Sequence, residues 1–147
     1  PSQELKWQPR ANMALTSNII APFIGASVIA GEGSYDEIVK ACVAELASSL
    51  NLTDLDQVVA KEVQKLTAMG DDEFDEYLNT SAKNISDNEA VLLICLDVLA
   101  SDLVISIDEM ANYFAFADIL GVPEKRAGEI FDEFVDTTDD LTIENDE

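Results

Sequence analysis

The chain contains no histidine. That one absence removes Ser-His-Asp and Cys-His catalysis, and with them every His-containing zinc or iron site. Cysteine is scarce as well. Cys42 and Cys95 are too few and too far apart for a zinc cage, and each lies among helix-forming apolar neighbours (VKACVAEL and LLICLDV). Both are expected to be buried, reduced packing thiols, and a reducing cytoplasm is the expected location. Basic residues are few, 8 Lys and Arg against 30 Asp and Glu, for a formal net charge of −22. Contact with nucleic-acid phosphates would be repulsive, which excludes direct nucleic-acid binding. Strand signals are missing too: no stretch alternates apolar and polar residues for long, and Asn-Gly or Gly-Asn hairpin turns are absent. Without a Gly-rich phosphate cradle, or a nucleophile beside a base, the chain is not expected to be an enzyme.

What is present is an apolar fraction of 48% in 147 residues, enough to offset ordering entropy around a single core. The charge-free run Ala11–Gly31 holds Asn12, Thr16, Ser17, Asn18 and Pro22. These interruptions favour a buried helix over a signal or membrane-spanning segment. A first helix is expected over Thr16–Ala30. Three S-x-x-E capping boxes, at Ser34–Glu37, Ser86–Glu89 and Ser106–Glu109, announce further helices. Apolar residues at i, i+3 and i+4 spacing follow Ser34 (Ile38, Val39, Cys42, Val43, Leu46, Leu50) and Thr53 (Leu55, Val58, Val59, Val63, Leu66). Met69-Gly70 closes the latter, and a short acidic helix begins at Asp71. Ala90–Ala100, apolar on nearly every face, reads as a second central helix, with Asp97 on a narrow solvent stripe. The helix after Ser106 stops at Gly121, and Pro123 opens the last one. The fold class is therefore all-α, a single compact bundle of about seven helices. An N-terminal arm is expected over residues 1–15, the helical domain over 16–136, and a disordered acidic tail over 137–147. Phe114, Phe116, Phe131 and Phe134 are expected in the core. The tail DTTDDLTIENDE imitates an EF-hand loop at its first, third, fifth and last positions, but Leu141 stands where the turn needs glycine.

An internal repeat sets the functional question. VIAGEGSYDEI (28–38) and VLASDLVISIDEM (98–110) superpose with a two-residue difference. Each is a buried helix, an acid at its exit (Glu32 or Asp102), then an amphipathic helix carrying Glu37 or Glu109. Two such helix–acidic loop–helix units packed about a pseudo-two-fold axis would bring their corners together. The second copy, Ser101–Glu109, resembles the A-D-G-x-I-S-x-x-E motif of the TerB-like (tellurite-resistance) family, and ILGVPEKRAGEIF (119–131) is similar to that family's continuation. Leu103 replaces the family glycine, and the first copy has Glu32-Gly33 where Asp-Gly would stand. The resemblance covers roughly residues 28–136. It implies an all-helical protein associated with tellurite and other chemical stress, with a divalent metal (Ca, Mg or Mn) held by Asp102 and Glu109 and by their counterparts Glu32 and Glu37.

Hard cations do take clustered carboxylates, although Glu109 is equally explained as half of a capping box. Expected partners are proteins, basic or membrane-associated. The alternative is an acidic nucleic-acid mimic or immunity-type protein that blocks a basic DNA-binding protein or toxin.

Overall fold

In the computed structural model, residues 15–31 and 33–144 are described; the arm residues 1–14, among them Trp7, and Glu32 lie outside them, as do residues 145–147. Among the described residues seven helices follow one another: α1 (Ser17–Ala30), α2 (Glu37–Leu50), α3 (Leu55–Thr67), α4 (Asp71–Ala82), α5 (Asn88–Leu99), α6 (Ile107–Leu120) and α7 (Glu124–Thr137). Two short strands, β1 (Val104–Ile105) and β2 (Thr142–Ile143), pair in parallel. The all-α expectation holds.

α1 lies at the centre because it carries no charge to keep wet. Every residue from Ile20 to Val28 is buried. Thr16 caps it by accepting from the Ile19 N–H, and the helix continues through Pro22. Ser27, fully buried, satisfies its hydroxyl by donating to the Phe23 carbonyl at 2.8 Å. Buried Ser17 donates to Asp54 at 2.6 Å, tying the start of α1 to the start of α3. α1 packs most extensively on α3 and next on α5. Gly25 lets α3 come close: a Cβ there would stand 2.9 Å from Leu66 Cδ1 and 3.3 Å from Glu62 Cγ.

α5 is the second central helix, with Val91, Leu92, Ile94, Cys95, Leu96, Val98 and Leu99 buried. The other helices cover these two with one apolar stripe each, such as Val39, Val43 and Leu46 on α2, or Ala127, Ile130 and Phe134 on α7. Each fully buried aliphatic side chain contributes about 1.5–3 kcal/mol relative to an exposed one. α7 rests chiefly on α6.

Several local expectations change. Asp36 and Asp87, not Ser34 and Ser86, cap α2 and α5, accepting from Val39 N–H and Ala90 N–H at 3.0 and 3.1 Å. An aspartate caps as well as a serine, and α2 starts two residues later than the sequence suggested, with the Tyr35 hydroxyl beside its entry donating to Asp56 at 2.6 Å. Gly70 has φ −76 and caps α4 instead of stopping α3, and Pro123 sits at the cap of α7 with Glu124 as the first helical residue. Ile38 is 50% exposed.

Cys95 is a buried thiol, and burial pushes its pKa up to about 12. Cys42 is only half-buried and donates to the Asp97 carboxylate at 3.4 Å. Asp97 is half-buried, as are Ala90, Leu93 and Ser101 on the same side of α5, the narrow stripe that the sequence suggested. Phe116 and Phe134 are core, whereas Phe114 and Phe131 are half-buried and stacked at 6.3 Å. The segment expected to be a tail begins as the last turn of α7 and then folds back, pairing Thr142 with Val104 and Ile143 with Ile105. That use of 136–144 as helix end and strand leaves no EF-hand loop.

Candidate functional site at the acidic corner

The second unit's corner is built residue by residue. α5 ends at Leu99, and the Leu103 N–H reaches back to the Ala100 carbonyl at 2.8 Å. Asp102 Oδ1 accepts from the Val104 N–H at 3.1 Å, a side chain imitating a backbone turn. Leu103 then adopts φ +65, a left-handed conformation that suits glycine, and leaves its side chain 44% exposed. The backbone thus takes a shape that glycine favours, with a leucine in its place. Gly33, which the repeat aligns with Leu103, has φ +80, the same left-handed sign, but its N–H bonds the Val28 carbonyl five residues back where that of Leu103 bonds Ala100 three back. Left-handed geometry costs a non-glycine residue roughly 1–2 kcal/mol, partly offset because glycine is freer when unfolded. Leu103→Gly is expected to stabilise the chain by roughly 0.5–1 kcal/mol, read as a rise in denaturant midpoint at unchanged slope.

Ser106 and Glu109 complete the capping box in full. The Ser106 hydroxyl accepts from the Glu109 N–H at 3.0 Å, and Glu109 Oε1 accepts from the Ser106 N–H at 2.8 Å. Glu109 is only 8% exposed, the one buried carboxylate among the described residues. Its other oxygen faces the first unit: a Cβ on Gly31 would lie 3.0 Å from Glu109 Oε2 and 3.8 Å from Leu99 Cδ2. The two corners therefore meet, with the C-cap of α1 set against the first turn of α6. Gly31 is what leaves room for the carboxylate. Parallel pairing adds a third acid, because the Glu144 N–H donates to the Ile105 carbonyl at 2.9 Å and carries its side chain to the same corner.

Burial raises the Glu109 pKa above the ordinary glutamate value, against the lowering effect of the Ser106 N–H; the negative charges of Asp102 and Glu144 raise it further. A carboxyl whose pKa is higher folded than unfolded binds more protons when folded. Stability is then lost as pH rises from the ordinary value through the folded one. Glu109→Gln keeps the capping geometry, since glutamine serves in the same box, and removes the charge. It is expected to flatten this part of the stability–pH profile and to leave the variant more stable than the parent at neutral pH, as urea melts from pH 4 to 8 would record.

Of the four acids expected to act together, Asp102 and Glu109 do come together. Glu37 stands exposed in the first turn of α2, where a carboxylate suits the positive end of the helix. Among the described residues it has no hydrogen bond or ion pair with the corner. Glu32 lies outside the described residues. Among the described residues, no group of three His, Cys, Asp or Glu is placed to hold a metal ion. Glu144 was not identifiable beforehand, because two-residue strands leave no periodic signal. Comparison with protein-family models, curated proteins and solved structures finds no match for this chain. No helix among the described residues is long and apolar enough to cross a membrane.

Proposed function

We propose that the chain is a non-enzymatic, TerB-like stress-response protein that works by docking basic protein partners on its carboxylate-rich surface. One observation carries this reading: among the described residues, few of the exposed acids have an ion-pair partner. Arg126 makes both of the described ion pairs, to Glu89 at 3.1 Å and Glu129 at 3.2 Å. The acids of the first turn of α4, and those along α7, stand exposed. Broad faces of one sign steer and hold partners of the other sign. A basic DNA-binding protein or toxin, whose groove such carboxylates would occupy in place of phosphates, belongs to the same partner class. The left-handed turn at Leu103 and the complete Ser106–Glu109 box support the TerB-like assignment. The reduced cysteines support a cytoplasmic location.

The immobilised chain, exposed to cell lysate, is expected to retain basic proteins and to release them as salt is raised. Recovery of only neutral or acidic proteins would sink the reading.

The corner favours a second role. Glu109 is buried beside two like charges, and a divalent cation there would relieve both burial and repulsion, stabilising the fold by linkage. Millimolar Ca²⁺, Mg²⁺ or Mn²⁺ should raise the melting temperature, and Asp102→Ala should abolish the rise. A melt that no cation moves in the parent chain removes the cation role and leaves docking untouched.

A further inference from the structure

Between α6 and α7 lies an open groove of about 550 Å³, lined by Phe114 of α6 and by Glu124, Lys125, Gly128, Glu129 and Asp132 of α7. Two features bear on what the groove can hold. The first is Gly128, which sits mid-helix in α7, where glycine is disfavoured. A Cβ added there meets nothing within 4 Å, so no packing contact inside the protein requires the missing side chain. What its absence does is leave the groove open above the helix. The second is the lining chemistry, a half-buried phenylalanine among three carboxylates and one lysine. Phe114 is held in place by stacking on Phe131 and by the edge contact with Tyr113 at 5.0 Å. An aromatic ring sharing a groove with three carboxylates suits a cation carried on an apolar stem, the side chain of arginine above all. Glu129 already shares itself with Arg126, but that pair is exposed on both sides and exchangeable.

We infer that the groove between α6 and α7 seats an arginine- or lysine-bearing segment of a basic protein, its cationic side chain over Phe114 and its charge among Glu124, Glu129 and Asp132. The missing side chain at Gly128 is the entrance. Lys125, at the rim, opposes the incoming charge and so favours segments that place their cation deep in the groove. This inference rests on the docking reading and names where docking is centred.

The test is the affinity of a fluorescent oligo-arginine peptide, measured by anisotropy at low and physiological salt. Gly128→Leu changes no charge and fills the groove; it is expected to weaken binding about tenfold. Asp132→Asn should weaken binding more than Asp72→Asn, an equal charge change on α4. Gly128→Ala should raise the melting temperature, because nothing in the fold needs the glycine. Equal affinities for the Gly128→Leu and parent chains, or equal losses for Asp132→Asn and Asp72→Asn, would overturn the groove while general acidic docking survived. Failure of the parent chain to bind the peptide even at low salt would overturn both.

Discussion

Replacing Gly25 by valine is expected to destabilise the protein by about 3 kcal/mol, the upper end of what overpacking a closed core costs. The β-carbon alone would stand 2.9 Å from Leu66 Cδ1, inside any distance real atoms adopt, and valine adds two methyl groups to it. Leu66 cannot yield easily, being 1% exposed in the interface of α3 with α1. The residue is on the central helix, so moving it displaces the elements that hold both corners. Gly25→Ala should behave differently, its smaller clash set against a helix-propensity gain of about 1 kcal/mol. The diagnostic is the double variant: Leu66→Ala costs stability alone, yet should recover part of the loss in the Gly25→Val background, a coupling expected only if the two atoms compete for one space. Additive losses in urea melts would show the strain to lie elsewhere.

Tyr113→Ala should cost about 3–5 kcal/mol, as for other large aromatic deletions, and lower the melting temperature at roughly 2–4 °C per kcal/mol for a chain of this size. Tyr113 is fully buried, its hydroxyl donates to the Ala127 carbonyl at 2.8 Å, and its ring meets Phe114 and Phe131 at 5.0 and 5.5 Å. It is the joint between α6 and α7 and the support under the groove's aromatic wall. Tyr113→Phe isolates the hydrogen bond and should cost about 1 kcal/mol. Burial also drives the phenol pKa well above its ordinary value, so its ultraviolet titration should stay silent until the alkaline unfolding transition. A full loss in Tyr113→Phe, matching that of alanine, would assign the effect to the hydroxyl and not to packing.

Much of the fold was legible because burial leaves a one-dimensional trace. The charge-free stretch to Ala30 and the apolar run ending at Leu99 could only be interior, and they became α1 and α5. Gly121, at φ +79, stops α6 where the sequence placed its end. Features decided by tertiary contacts left no such trace. Ser34 and Asp36 are both good caps, and the anchoring of Tyr35 on Asp56 accompanies the choice of Asp36. Cys42 finds Asp97 across 55 positions of sequence. At the corner, Asp102 and Glu109 could be read from spacing, whereas Glu144 arrives through a parallel pairing that crosses two helices. The groove was hidden for another reason: Gly128 looks like an ordinary weak helix residue until the space above it is seen to be open.

The pairing of β1 with β2 makes one region answer to another. Residues 141–144 can lie along the loop before α6 only while α7 is seated, because α7 delivers them there. If that segment lifts, Glu109 loses the nearby Glu144 charge that helps to raise its pKa, and becomes more acidic. Proton uptake at this acid and latching of the segment are thus two sides of one equilibrium: mild acid fastens it, and alkalinity loosens it. Amide exchange at Thr142 and Glu144, corrected for the intrinsic rate, should accordingly slow as pH falls, so that a strand far along the chain reports the ionisation of one glutamate.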